Sequence, residues 1–105
     1  MKKTKKDKLK AAGWKVGSTS EFLDLSPDEE AMIEIRHVLA NYLREWRTRK
    51  NLTQMQLAKA VKSSQSRVAK MEAGDPSVSI DLLLRCLLYL GASPKQVARA
   101  IASAA

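Results

Sequence analysis

The strongest constraint on the fold of this chain is a series of helix-start signals. In each signal a Ser or Thr precedes a Glu or Gln by three residues, so that two backbone amides of the first turn find acceptors. Four such pairs begin at Ser18, Ser26, Thr53 and Ser93. Two of them are followed directly by proline, which is tolerated at the first position of a helix. No strand pattern competes with these signals, so the sequence predicts an all-α fold.

These starts, together with glycine stops at Gly74 and Gly91, delimit six helices. The expected ranges are 19–24, 27–49, 53–61, 64–73, 80–90 and 94–103. A chain of 105 residues can bury one core but not two independent ones. We therefore expect a basic N-terminal arm with a short helix, residues 1–25, and one compact five-helix domain, residues 26–105.

The net charge of +8 biases the chain toward polyanions, because lysine and arginine that neutralise phosphates release condensed counterions. Residues 1–20 contain seven Lys and one Asp, and so carry six of the eight net charges. This tail is either a solvated segment or an arm that touches phosphates.

Other features argue against membrane, secreted and enzymatic classes. No apolar run has the length of a membrane span, the basic start is not followed by the apolar stretch of a signal peptide, and Cys86 has no second cysteine to pair with. We therefore expect a cytoplasmic protein. The single His37 has no companion at ligand spacing, so no catalytic residue, metal or cofactor is predicted.

The segment Leu52–Gly74 predicts two short helices joined by Val61–Ser63. Their apolar side chains can meet in a small shared core. These are Leu52, Leu57, Val61, Val68 and Met71, with Ala58 leaving room for a close crossing. The outward face of the second helix then carries Gln65, Ser66 and Lys70, with Arg67 at its edge. Because Gln pairs with adenine and Lys or Arg with guanine, this face suits a DNA major groove.

The two remaining core-forming helices have different patterns. The long helix 27–49 carries one apolar stripe, made of Ile35, Leu39, Tyr42, Leu43 and Trp46. In helix 80–90 only Asp81 and Arg85 are charged, so apolar side chains fall on nearly every face. Two readings account for this helix. Either a second subunit covers part of it, through Leu83, Leu87 and Leu90, or the chain is a monomer that buries the helix more fully.

Residues 36–91 resemble the Xre-type helix-turn-helix proteins, which include the lambdoid phage repressors. The resemblance rests on Leu52-Thr53-Gln54, Leu57-Ala58, Ser64-Gln65-Ser66, Val68 and Glu72-Ala73-Gly74. It implies a lambda-repressor-like fold and a dimer that binds a palindromic double-stranded operator. The loop after Gly74 reads Asp75-Pro76-Ser77, without the basic residues that some relatives carry there.

The same resemblance implies roles for individual side chains. Ser64, Gln65, Ser66 and Lys70 match positions that face the bases. Thr53, Gln54 and Arg67 match positions on the DNA backbone, and Gln54 is expected to orient Gln65 as well. Arg47 and Glu72 match an ion pair that ties the long helix to the end of the reading helix.

A narrower resemblance concerns the segments Gly13–Gly17 and Phe22–Ser26, which, ahead of such a domain, look like those of HigA-type antitoxins. That group implies a bacterial regulator that neutralises a RelE/HigB-like toxin, represses the shared operon and lies on the nucleoid when bound to its operator. Trp14, Val16, Phe22 and Leu23 would then be offered to the toxin, or would fold back on the long helix as a clasp. The alternatives are a stand-alone Xre-type regulator without a toxin and a helical adaptor that does not read DNA.

Overall fold

Five helices and no strand make up the part of the chain that the computed structural model describes, residues 24–103. They are α1 Pro27–Arg49, α2 Gln54–Ala60, α3 Gln65–Glu72, α4 Ile80–Leu90 and α5 Pro94–Ala102. The predicted all-α, five-helix, lambda-repressor-like fold is confirmed. The predicted helix 19–24 and nearly all of the arm lie outside the described residues, and the division into arm and domain stays a prediction.

The chain divides into two units, residues 1–32 and residues 33–105. In the described part of the first unit, residues 24–32, the main feature is the start of α1. The amide of Ser26 donates to Glu29 Oε1 at 2.9 Å, and the amide of Glu29 donates to Ser26 Oγ at 3.3 Å. This reciprocal pair begins α1 at the expected residue.

The helix starts of the second unit also follow the capping rules. Thr53 and Ser93 form complete capping boxes, in which each cap hydroxyl accepts from the amide three residues on at 3.0 Å. The helices α3 and α4 begin with a hydroxyl cap alone, from Ser64 and Ser79. These two starts carry no box because Arg and Leu stand three residues later, where a box needs Glu or Gln.

Helices α1 to α5 all contribute to the core of the second unit. Its largest fully buried side chains are Leu39, Leu43, Leu57, Val68, Met71, Leu83, Cys86 and Leu87. Ile35, Tyr42, Trp46, Leu52 and Val61 are partly buried and pack against them, which confirms the predicted stripe of α1 and the shared core of α2 and α3. Burial raises the pKa of the Cys86 thiol, which lies 3.8 Å from the sulfur of Met71.

The expected dimer contacts on α4 need correction. Leu83 and Leu87 are completely buried and Leu90 is 4% exposed within the single chain. These three side chains belong to the intramolecular core, so they cannot also cover a second subunit. The exposed large apolar side chains of this helix are Leu88 and Tyr89.

Gly74 and Gly91 end α3 and α4 with backbone φ values of +73° and +110°, so both predicted stops are confirmed. At Gly74 a second constraint applies, because a Cβ there would lie 2.8 Å from Nδ1 of His37. The loop that follows Gly74 is held to α1 by a hydrogen bond from the Arg36 guanidinium to the carbonyl oxygen of Val78.

The turn between α2 and α3 depends on a residue in the left-handed region. Lys62 has φ of +57°, and this lets the amide of Ser63 donate to the carbonyl of Ala58 at 2.8 Å. An L-residue pays a steric penalty in this conformation that glycine avoids. The turn is therefore built at some cost in backbone energy.

We predict that Lys62→Gly raises the free energy of unfolding by roughly 0.5 to 1 kcal/mol, because relief of the left-handed strain exceeds the added entropy of the unfolded chain. Urea unfolding monitored by circular dichroism measures the change. Lys62→Ala is the control, since it removes the same charge but keeps the Cβ. Equal stabilisation by both variants would mean that the charge, not the backbone, is responsible.

Candidate nucleic-acid interface

Helix α3 presents a polar surface that its own packing defines. Val68, Met71 and Glu72 are buried against the rest of the second unit, while Gln65, Ser66, Arg67 and Lys70 are exposed. Ser64, the N-cap of the helix, is exposed as well. The structure thus brings Ser64, Gln65, Ser66 and Lys70 together on one solvent-facing surface, next to Arg67.

A chain of hydrogen bonds links this surface to the interior. The side-chain amide of Gln65 donates from Nε2 to Oε1 of Gln54 at 2.7 Å. Gln54 in turn donates from its Nε2 to Oε1 of Glu72 at 3.1 Å. The exposed first residue of α3 is therefore connected, through the first residue of α2, to a carboxylate whose side chain is 1% exposed.

This chain fixes which way both amides point. A carboxylate can only accept hydrogen bonds, so Gln54 must turn its nitrogen toward Glu72 and its oxygen toward Gln65. Gln65 uses one N–H of its side-chain amide in that bond, so its second N–H and its carbonyl oxygen remain available for other partners. One donor and one acceptor are what a bidentate contact with adenine N7 and N6 requires.

Glu72 is itself held by Arg47 of α1. Arg47 donates from Nε to Glu72 Oε2 at 2.5 Å and from Nη2 to Oε1 at 3.0 Å, and its Nη1 donates to the carbonyl of Leu52 at 2.8 Å. The two hydrogen bonds to Glu72 raise the pKa of Arg47, against the opposing effect of burial. Arg44 lies 3.7 Å from the same carboxylate but is largely exposed. One ion pair therefore joins α1, the loop before α2 and the end of α3.

A polar groove of about 340 Å³ runs between α3 and the loop that leads into α4. Its lining includes four serine residues and two cationic side chains, and these are Ser64, Ser66, Ser77, Ser79, Arg67 and Lys70. Hydroxyls and cations together suit a phosphate group. Asp75 lies near Lys70 and stays ionised, because its pKa is lowered by hydrogen bonds from Ser77. Of the two cations, Arg67 is therefore the better placed for a phosphate.

Sequence reasoning did not include Ser77 and Ser79 among the site residues. Ser79 carried a detectable signal, because a serine directly before an apolar helical run is a typical N-cap. Ser77 carried none, since its place in the groove depends on how the 75–79 loop is held. The Arg36 contact that holds this loop joins residues 42 positions apart, and no local pattern announces it.

The remaining predicted residues fall into two groups. Thr53 is exposed at the start of α2, where its hydroxyl accepts from the amide of Gln56. Trp14, Val16, Phe22 and Leu23 lie outside the described residues. Across residues 24–103 no cluster of three or more His, Cys, Asp or Glu side chains could hold a metal ion. Nor does any helix in that range have the length and apolar character needed to cross a membrane.

Two helices of this geometry, with an exposed polar second helix, define a helix-turn-helix DNA-binding protein. Residues 38–100 match a family model described as a helix-turn-helix domain, and this match covers more than half of the chain. The chain therefore belongs to that helix-turn-helix family, whose proteins are typically not enzymes. Neither the search of curated proteins nor the search of solved structures finds a match.

We predict that Glu72→Gln lowers the free energy of unfolding by about 3 kcal/mol, because it leaves the Arg47 guanidinium without its counter-charge in a mostly buried place. Chemical unfolding measures the loss. The control is Glu45→Gln, which breaks the exposed pair with Arg49, whose charged atoms are 3.8 Å apart. That change should cost no more than about 0.5 kcal/mol. Similar losses in the two variants would contradict a special role for the buried pair.

Proposed function

We propose that the protein is an Xre-type transcriptional repressor that reads a palindromic operator as a dimer, with α3 in the major groove. The observation that carries this proposal is the chain of bonds from Gln65 through Gln54 to Glu72, which aims an exposed amide without burying it. An ordinary solvent-facing glutamine gains little from such a fixed orientation. A glutamine that reads a base gains specificity, because its side chain is already ordered before DNA binds and complex formation no longer carries the entropic cost of ordering it.

In this proposal Gln65 contacts an adenine through its remaining donor and acceptor. Ser64, Ser66 and Lys70 share the exposed surface of α3 and contact neighbouring base edges, with Lys70 directed to guanine acceptors. Gln54 keeps one N–H for a phosphate oxygen, and Thr53 lies beside it at the start of α2. Arg67, with the hydroxyls of Ser77 and Ser79, takes a phosphate in the groove between α3 and the loop that leads into α4.

The groove also bears on how the loop after Gly74 could contribute to phosphate binding. The loop Asp75-Pro76-Ser77 has no cation of its own, so it cannot neutralise a phosphate by itself. The groove pairs this loop with Arg67 of α3, which supplies the missing positive charge. Phosphate binding is then shared between helix and loop.

We predict that Gln65→Ala weakens binding to the preferred operator by about 1 to 3 kcal/mol and relaxes the preference at one base position in each half-site. Selection from a pool of random duplexes identifies the operator, and titration of single-base variants measures the preference. Arg67→Ala should behave differently. It should weaken all sequences alike and reduce the slope of log affinity against log salt by about 1.

The matched control for the reading surface is a pair of lysines. Lys70 lies on the exposed surface of α3, whereas Lys95 is exposed on α5, outside the groove. Both alanine variants remove one charge, but only Lys70→Ala should change the sequence preference. An unchanged preference in Gln65→Ala and Lys70→Ala would refute this reading surface, and absence of salt-dependent DNA binding would favour the adaptor alternative.

The antitoxin role is a finer part of the proposal. It rests on the resemblance of the segments Gly13–Gly17 and Phe22–Ser26 to those of HigA-type antitoxins. The test is co-expression with the product of the neighbouring gene, using a tag on that product. A RelE/HigB-like partner should co-purify with the chain, and Trp14→Ala or Phe22→Ala should reduce its capture without changing the thermal unfolding midpoint. Normal capture by both variants would exclude a toxin anchor at these residues.

A further inference from the structure

The outer surface of α4 combines exposed apolar and charged side chains in one stripe. We infer that two copies of this chain associate through that stripe, formed by Asp81, Leu84, Arg85 and Leu88 and called the α4 face below. This inference rests on the dimer of the proposed function and gives it a location. The location differs from the one that the sequence suggested, because Leu83, Leu87 and Leu90 are in the core.

The spacing of the four residues puts them side by side. They stand at intervals of three, one and three positions, and residues three or four apart share one face of a helix. Leu88 is 48% exposed, Leu84 is partly buried, and both charged residues are exposed. All four line one open hollow of about 550 Å³. A leucine that is half exposed beside another leucine in an open hollow leaves apolar surface in contact with water unless another protein surface covers it.

The charges of the α4 face identify a second copy as the cover. Neither Asp81 nor Arg85 forms an ion pair with another residue of the described range 24–103. They lie one helical turn apart and carry opposite signs. When a two-fold axis brings two α4 helices together in antiparallel fashion so that Asp81 of each copy approaches Arg85 of the other, the two Leu84 side chains meet between the ion pairs, and each Leu88 lies against the start of the other copy's α4. The face is thus complementary to itself, in charge as well as in apolar character.

The position of the hollow also fits a DNA-reading dimer. Arg67 of α3 lines the same hollow as Leu84 and Leu88. A two-fold axis through the α4 face therefore passes near α3 and relates the two proposed reading helices of the dimer to each other. Repressor dimers need this arrangement to reach two half-sites on one face of a duplex.

The test uses charge reversal in the full-length chain, with mass measured by analytical ultracentrifugation in the absence of DNA. The unmodified protein should sediment as a dimer at micromolar concentration. Asp81→Arg alone and Arg85→Asp alone should each raise the dimer dissociation constant at least about tenfold, because each homodimer then contains two repulsive pairs. An equimolar mixture of the two variants should dimerise again, since both cross-pairs become attractive. Recovery in the mixture cannot arise from effects within one helix.

Two further variants separate apolar contact from general surface change. Leu88→Ser should weaken the dimer, whereas Tyr89→Ser should not, because Tyr89 is exposed on the same helix but lines a different hollow with Lys50 and Leu52. Circular dichroism at low concentration verifies that each variant is folded. A monomeric unmodified protein, or a mixture that stays monomeric, would overturn the inference.

The failure of this inference can be distinguished from failure of the proposed function. A monomer that still selects a half-site through Gln65 would leave the DNA-reading proposal intact and remove only the α4 dimer. A dimer that depends on the α4 face but has no sequence preference would do the reverse.

Discussion

The ion pair between Arg47 and Glu72 is the contact on which the arrangement of the helix-turn-helix depends. It connects the end of α1 to the end of α3, and the same guanidinium donates to the carbonyl of Leu52 before α2. Charges this deep are costly to desolvate, and the cost is offset only when every hydrogen-bonding position is used. Here the carboxylate accepts hydrogen bonds from both Arg47 and Gln54. It therefore also fixes the orientation of the Gln54 amide and, through it, that of the exposed Gln65.

This arrangement explains how a helix of eight residues can be held in place while it exposes a polar surface. A helix of this length has little stability by itself and must be held by its surroundings. Val68 and Met71 supply the apolar contacts, and Glu72 fixes the far end through α1. The exposed side chains of α3 are therefore not needed to hold the helix in place, apart from the hydrogen bond between Gln65 and Gln54. The buried side of these two turns stabilises the fold, and the exposed side carries the DNA recognition that we propose.

The α4 helix shows how apolar composition alone can mislead. Its sequence is apolar on nearly every face, and periodicity cannot tell which of those faces meets the chain's own core. Packing against the other helices buries Leu83, Leu87 and Leu90 and leaves Leu88 outside. The dimer surface predicted from the sequence therefore consisted of strongly apolar positions that in fact form the core of the single chain.

What the sequence determined by itself is local. Capping pairs, glycine stops and apolar spacing act within a few residues, so together they predicted all five described helices to within one residue at either end, and apolar spacing also predicted the shared core of α2 and α3. What only the tertiary structure decided is which distant groups meet. The bond from Gln54 to Glu72, the serine-lined groove and the free face of α4 each require segments far apart in the chain to be packed together. A short-range rule cannot encode such contacts, because they depend on how whole helices cross and not on the residues that begin and end them.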